Sequence, residues 1–588
     1  MHRRLWLFAG TAVAILSLAA AASATTKVAG MAHTSDATSA AAPFALSWAN
    51  VPRTTAGRKA KSVLVFGEEQ DINGFNTNLT CCNALAGGYL AANEALHGAY
   101  IQNDKGQWIK DIVVSGAATK TTLTYTINPK ANWYWGGKKV PVTWSDFAYT
   151  WQQIVDPKND LAGRTGYNQI GSVTHKGAKT VTFHWKTCPA GGSTTDNPCG
   201  PFAYWQSLFS GLYPAAALAG QDFNKIWTNC ICGNDGQPVA DGPFYLANYT
   251  KGQGTTLKAN PFWYGRKQGL AEVDFKIIAD TNTEVQAMRG GEVDAIAPTF
   301  GQNLVPLKGV SGITFNQLPG YFQEHIDLQE GPKSSNPLLR APWMRQAVMM
   351  GIDRQSIINT VYGQLAGNTK PLNSLLYFTT QADYTPDFKK WDYNQAKALA
   401  LLKKHCTGGP SAPDANNSSF WTCSGFPARF RYSWTASNAT RTNQEAIAKA
   451  QLKAIGIEII DFPRAANVIF GPTGIPSGDY DLANFAWVTT GDPGDLYDTW
   501  RCGGDSNYLH YCSKKASSLL AAGGGELDPA KRTKDYQQAN AIMAAGLPSI
   551  PLYQRPVPLI YKSDILGMKN NPGTGGPMWN IEDWKWKS

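Results

Sequence analysis

The chain has 588 residues, with 53 Lys and Arg against 43 Asp and Glu, a formal net charge of +10. At roughly 150 residues per domain that length allows about four domains or fewer large ones, and 43% hydrophobic with only 16% charged residues excludes the disordered and coiled-coil classes. The basic residues form no dense block, which speaks against a nucleic-acid partner, while 20 Trp and 24 Tyr point to surfaces that hold ligands by stacking.

From the N-terminus, Met1 to Ala24 combines Arg3 and Arg4, an apolar run from Leu5 to about Ala22, and the small-x-small triplet Ala22-Ser23-Ala24. This pattern predicts a secretory signal peptide over 1–24; a retained membrane anchor is the alternative, from a run near the short limit for a span. Cleavage removes Arg3 and Arg4 and lowers the net charge to +8. The first Cys is Cys81, so no lipobox Cys follows the apolar run. The mature chain is expected to be exported, either periplasmic or extracellular and associated with the cell surface. Residues 25–56, rich in Ala, Thr and Ser, read as a flexible linker.

Strand signal begins at Lys61-Ser-Val-Leu-Val-Phe-Gly and returns over Thr121 to Ile127 and Thr180 to Trp185. A Gly-Gly turn is expected to expose Trp133 and Trp135, followed by a helix from Ser145 to Val155 opened by a Ser cap. Further helices are predicted over Asn282 to Arg289, Pro342 to Tyr362, Asn394 to His405, Arg441 to Ile455 and Pro529 to Ala545. Strands and helices alternate over long distances, so the class is α/β.

Ten cysteines in an exported chain predict disulfides. Cys188 with Cys199, Cys406 with Cys423 and Cys502 with Cys512 each flank a polar loop, and each pair reads as a local staple worth up to about 3 kcal/mol in the chain-entropy account. Adjacent cysteines seldom bond each other comfortably, so one bond or two is expected between the segments Cys81-Cys82 and Cys230-x-Cys232. A metal site is the alternative there, but no His lies at ligand spacing, and no metal or other cofactor is expected. The sequence holds no GxSxG, HExxH or GxxxxGK[ST], and no GxGxxG after a strand, which lowers the odds of an enzyme.

The most informative stretch is 121–157, TTLTYTINPKANWYWGGKKVPVTWSDFAYTWQQIVDP, a strand, a tight turn and an amphipathic helix. It resembles the family 5 extracellular solute-binding proteins of ABC importers, which include dipeptide-, oligopeptide- and nickel-binding receptors; Thr143, Ser145, Asp146 and Phe147 stand in the family's helix-start pattern. The resemblance continues in order. Asp71-Ile-Asn-Gly-Phe-Asn looks like the opening turn, and Asp241-Gly-Pro-Phe-Tyr-Leu with Asn260-Pro-Phe-Trp-Tyr-Gly resembles the GTGPY and N-x-x-Y-W-G elements. Glu284 to Ile296, Arg345-Gln-Ala-Val-Met-Met-Gly-Ile-Asp-Arg, Leu452 to Ile460, PSIPLYQRP and WNIEDW follow.

The resemblance implies a two-lobed clamp of the periplasmic-binding-protein type. The first lobe is expected over 57–321 plus 552–588, with an inserted subdomain at about 80–238, and the second over 322–551. Ligand would bind in the cleft between the lobes, and closure would present the protein to a permease.

For ligand contacts the resemblance points to Asn76, Thr80, Cys81, Cys82 and Asn83, where peptide-binding members offer backbone groups, and to the segment from Trp487 to Asp495. Peptide-binding members carry an Asp three residues after this Trp that pairs with the peptide amino terminus. Here that place is Thr490, which cannot form the ion pair, so Asp492 or Asp495 is the candidate substitute and Thr489 their neighbour. Tyr321, Trp434 and Trp487 follow predicted strands and could sandwich a sugar or an apolar side chain. The expected function is delivery of an oligopeptide-like solute, by a monomer, to an ABC permease and ATPase, with no catalysis. The alternatives are an oligosaccharide or other non-peptide solute, a secreted carboxylate-pair hydrolase, and an adhesion protein without a ligand cleft.

Overall fold

The computed structural model describes residues 62–83, 85–88, 94–189, 193–194 and 197–587. By internal contacts the chain divides at Arg58 and Lys59, and the expected signal peptide and linker lie outside the described residues. The second unit, Lys59–Ser588, carries all the described elements.

Its backbone is one ten-stranded mixed sheet flanked by helices. The first strand, Val63–Glu68, runs parallel to Glu272–Ile277 on one side and to Ala295–Ile296 on the other. At the far end Arg429–Ser433 runs parallel to both Glu458–Asp461 and Leu482–Val488. Two long antiparallel strands, Ile313–Leu328 and Ser549–Lys562, join these halves. Their ladder is interrupted between Pro319 and Gln323.

Two large hydrophobic cores form around this frame, beside a small third cluster of Ile469, Ile475, Tyr480, Ala483 and Phe485. One gathers Leu64, Phe66, Phe147, Phe183, Phe275 and Trp584, and the other Met344, Ile357, Tyr362, Leu402, Phe430 and Tyr536. The strand Ser549–Lys562 feeds both, with Ile550, Leu552 and Tyr553 in one and Leu559 in the other. Each apolar side chain of this size contributes about 1.5–3 kcal/mol on full burial, so the sheet is held from two sides rather than from a single centre. A separate antiparallel sheet of four strands, with Thr122–Ile127 and Thr180–Trp185 at its middle, alternates buried and half-buried residues as a one-sided sheet should.

The helix after the informative stretch spans Trp144–Val155 and starts one residue earlier than the sequence suggests. Thr143, not Ser145, is its cap: Thr143 and Asp146 form a reciprocal capping box, and the Thr143 N–H donates to Asp146 Oδ2 at 2.8 Å. Trp133 is buried rather than exposed, because its hairpin gains a third strand, Val239–Ala240, and packs one face on the core. Trp135 stays half-buried and its indole N–H donates to Asp235 Oδ1 at 2.9 Å. The single helix expected over Pro342 to Tyr362 is two, Pro342–Gly351 and Arg354–Tyr362. Asp353 breaks it: its N–H is taken by Gln451 Oε1 at 2.8 Å, and its carboxylate caps the second helix at Ser356 N–H.

Three disulfides join the expected partners, Cys188–Cys199, Cys406–Cys423 and Cys502–Cys512. The other four cysteines differ from expectation. Cys81 bonds Cys82 and Cys230 bonds Cys232, each segment closing on itself. The two loops do lie side by side, with Phe75 N–H donating to the Trp227 carbonyl at 2.8 Å. The buried Trp227 stands at this junction with its indole N–H on the Cys232 carbonyl at 3.0 Å, while Cys82 Sγ is turned onto the Asn73 carbonyl. Non-reducing digestion with mass mapping should find Cys81 and Cys82 in one peptide without a link to Cys230 or Cys232; a cross-linked pair of peptides would contradict this arrangement.

Near the junction of the four-stranded sheet, His97 sits against Asp111 at 2.8 Å, and its own N–H donates to Asp241 at 2.7 Å. Burial works against a charged imidazole, but Asp111 foremost, with Asp241 and Glu582, outweighs it and holds His97 up at about 9. The stabilisation is fully present below the unfolded value near 6.5 and is lost as pH rises through about 9. The stability gap between wild type and His97→Asn should therefore be larger at pH 6 than at pH 10 in denaturant melts, and a gap independent of pH would refute the pairing.

Candidate functional site

Strand direction places the site. Val63–Glu68, Glu272–Ile277 and Ala295–Ile296 are parallel, so their carboxyl ends come together and the residues that follow, Glu69, Ala279 and Thr299, reach one cavity. The parallel strands Arg429–Ser433 and Leu482–Val488 bring Thr435, Trp487 and Val488 to it from the opposite half. The cavity is about 540 Å³. That size suits a drug-sized solute or a short peptide. Its walls draw Tyr100, Phe202 and Leu208 from one core and Leu496 from the other.

Behind the wall lies a charged centre, Glu324, wholly buried on the long strand Ile313–Leu328. Arg441 Nε, on the first turn of helix Ala439–Ala454, meets Glu324 Oε1 at 2.8 Å, and Arg555 approaches Oε2 at 3.7 Å. Burial disfavours the carboxylate, but Arg441 and Arg555 outweigh that and hold Glu324 below the ordinary range. Arg441 and Arg555 line the cavity. Arg555 lays its guanidinium on the Phe322 ring at 4.5 Å, and its Nε has no hydrogen-bond partner among the described residues.

Beside them Glu69 accepts from Thr281 Oγ1 at 2.8 Å, Thr299 N–H at 3.0 Å and Asn438 Nδ2 at 3.3 Å, and also from the Thr299 hydroxyl. Its neighbour Glu68 differs. One oxygen accepts from Gln70 N–H at 3.2 Å, the other has no partner among the described residues, and burial followed by repulsion from Glu69 pushes the carboxyl up to about 8.

Of the residues nominated from the sequence, Thr80, Asn83, Trp487, Thr490 and Asp495 line the cavity. The rest do structural work outside it. Asn76 is buried, giving its Nδ2–H to the Phe223 carbonyl and accepting from Tyr213 Oη–H. Cys81 and Cys82 are tied to each other. Thr489 is buried with its hydroxyl oxygen accepting from Gly491 N–H at 3.0 Å. Tyr321 packs on Phe378 and over Gly106 and Gly491, where a Cβ would meet its ring at 2.9 Å. Gly491 also has a φ of +89°, so a side chain there would be doubly unfavourable. Trp434 belongs to the second core, 5% exposed, with its indole N–H on Thr442 Oγ1.

Asp492 accepts the Trp108 indole N–H at 3.3 Å; burial, then Asp495, raises its carboxyl to about 7. Asp495 is raised by burial and accepts both Thr490 N–H at 2.7 Å and Thr490 Oγ1–H at 2.6 Å through Oδ2. Thr490 thus satisfies Asp495 instead of replacing an ion-pairing acid.

Sequence reasoning missed Glu68, Glu69, Gln102, Arg441 and Arg555. The signal for the first two was an acidic pair ending the first strand, Phe66-Gly-Glu-Glu, and for Arg555 the closing PLYQRP segment. Gln102 is reached only through tertiary structure: its Nε2–H donates to the Thr490 carbonyl at 2.8 Å, 388 residues away in sequence.

Residues 115–508 match the family model of bacterial extracellular solute-binding proteins, family 5 (middle). The chain is 25% identical over 454 residues to the oligopeptide-binding protein OppA of Mycobacterium tuberculosis, covering 75% of this chain and 71% of that one. It is 24% identical over 448 residues to the oligopeptide-binding protein AppA of Bacillus subtilis, covering 75% and 77%. Among solved structures, AppA from Bacillus subtilis with a nonapeptide superposes with a TM-score of 0.77 at 20% identity, over 90% of this chain and 99% of that one. A periplasmic EDTA-binding protein, EppA, gives 0.75 at 22% identity over 90% and 97%. These structures establish the two-lobed fold.

Because Trp434 is core, Trp434→Ala should lower the unfolding free energy by about 3–5 kcal/mol. Urea melts would measure it, and a loss under about 1 kcal/mol would return Trp434 to the cavity.

Proposed function

The chain belongs to the bacterial extracellular solute-binding proteins of family 5, and on that footing we propose that it is an extracytoplasmic receptor that captures an oligopeptide-like solute in this cavity for an ABC-type importer. One observation carries the reading: the walls hold polar atoms of both senses left without protein partners. Among the described residues Gln102 Oε1 accepts from no donor, Glu68 Oε2 has no partner, and Trp487 Nε1 and Arg555 Nε donate to no acceptor. A buried polar group without a partner costs about 1–3 kcal/mol, and a chain of amide N–H and C=O groups would satisfy both kinds. The named relatives that bind oligopeptides support the same class.

The two lobes are assigned to 57–321 with 552–588 and to 322–551, with the insert at about 80–238. The interrupted ladder near Pro319 supports that division, while one core crosses it, taking Met288, Phe300, Tyr553 and Ile560 from the first lobe. Closure would bring the halves together through contacts such as Arg164 N–H and Thr165 Oγ1–H on Asp498 Oδ2, both at 2.8 Å. The protein acts alone as the ligand carrier, partnered by permease and ATPase. A non-peptide solute is the second reading, favoured by Thr490 where peptide-binding members carry an acid.

The test is native mass spectrometry of the mature protein incubated with a library of peptides three to six residues long and, separately, with an oligosaccharide pool. Retention of intact peptides is expected. Retention of saccharides alone would move the reading to the second class, and hydrolysis of either pool would overturn the receptor.

A further inference from the structure

We propose that Glu68 is the recognition site for a primary ammonium group on the solute. The inference rests on the receptor reading of the cavity. It starts from what the other acids of the wall are doing. Glu69 has both oxygens occupied by Thr281, Thr299 and Asn438. Asp498 holds Arg164 N–H, Thr165 Oγ1–H and Arg501 Nε–H. Asp111 is spent on His97. Asp495 is engaged twice by Thr490, and Asp492 does not line the cavity. Among the described cavity-lining residues, Glu68 is the acid with a buried oxygen that no donor reaches, on a side chain 3% exposed.

An ammonium carries three N–H donors and a full positive charge, and a turn of the Glu68 side chain toward the cavity, which brings out the oxygen that is otherwise buried, lets it fill that oxygen with a charge-assisted bond. The surroundings leave room for that charge. Arg441 and Arg555 are set against Glu324, and Glu69 adds to the field on Arg441, so Glu68 is the carboxyl without a committed counter-charge. The charged groups acting on it are Glu69 beside it, Glu284 from helix Thr281–Gly290 and Arg555 from strand Ser549–Lys562. Burial and Glu69 raise the carboxyl to about 8, so in the empty cavity it is protonated at neutral pH. An ammonium that pairs with it favours the carboxylate and displaces about one proton to solvent. This reassigns the amine-reading role, which the sequence would place near Trp487, to the end of the first strand.

The experiment compares two synthetic peptide libraries, three to six residues long and identical except that one is N-acetylated and free of lysine. Wild type, Glu68→Gln and Glu292→Gln, an exposed carboxyl outside the cavity lining, are titrated by calorimetry at pH 7 in two buffers of different ionisation enthalpy. Wild type is expected to prefer free amines by about ten- to a hundredfold and to release close to one proton on binding. Glu68→Gln should lose both the preference and the proton, and Glu292→Gln should keep both. Equal affinity for the acetylated library, a preference that survives in Glu68→Gln, or one that is lost equally in Glu292→Gln overturns the assignment while leaving the receptor intact. Retention of neither library by wild type removes the peptide-receptor reading itself. Should Glu68→Gln fail to fold, the wild-type preference and proton count decide, and absence of either one overturns the proposal.

Discussion

A buried carboxylate, Glu324, organises the middle of this protein. It lies on a strand that runs through the join between two cores, and it is bound by guanidinium groups from two other elements, the helix Ala439–Ala454 and the strand Ser549–Lys562. Removing one partner from such a buried set is costly, by about 3–5 kcal/mol, because it strands the remaining charge. That constraint fixes the positions of Arg441 and Arg555, and through them the side of the cavity where opposite charge can be accommodated. Glu69, tied to Asn438 at the cap of the same helix, extends the arrangement to the end of the first strand.

Around this centre the sheet does two jobs. Its parallel sections end at the same edge, so loops from both halves open into one cavity, and its two long strands hold the halves together. Among the described residues, the contacts that span the cavity include single hydrogen bonds and ion pairs, such as Gln102 to the Thr490 carbonyl and Arg164 to Asp505 at 2.9 Å. Bonds of that kind contribute about 0.5–1.5 kcal/mol each. A clamp closed by a few of them can reopen, whereas the two cores cannot be separated so cheaply. On the proposed reading, ligand binding would shift a population by adding contacts present only when the halves are together.

The class and most helix positions were legible in the sequence because they rest on local chemistry. Asn394, Asp280 and Asp528 cap the helices whose apolar periodicity was already visible. Three disulfides followed from spacing across polar loops. Misreadings came where a distant partner decides the outcome. Trp133 looked like a turn residue until a strand about a hundred residues later covered it, and Trp434 looked like a platform until Thr442 and the second core claimed it. Asp353 is a favoured cap residue, but inside a continuous apolar pattern its role shows only once Gln451 takes its N–H. The site was half legible. Thr80, Asn83, Trp487, Thr490 and Asp495 were reachable by resemblance, and Glu68 and Arg555 carried local signals that went unused, while Gln102 becomes a site residue only through long-range packing.

The central claim is that a solute occupies the cavity between the two cores and is held by both walls. Hydrogen exchange of the mature protein, with and without a solute it retains, tests this most directly. The account predicts slowed exchange on both sides at once, in the turn after Glu68, around Gln102, at the start of the helix holding Arg441 and through Trp487 to Thr490. Protection confined to one wall, or appearing away from the cavity, would contradict it.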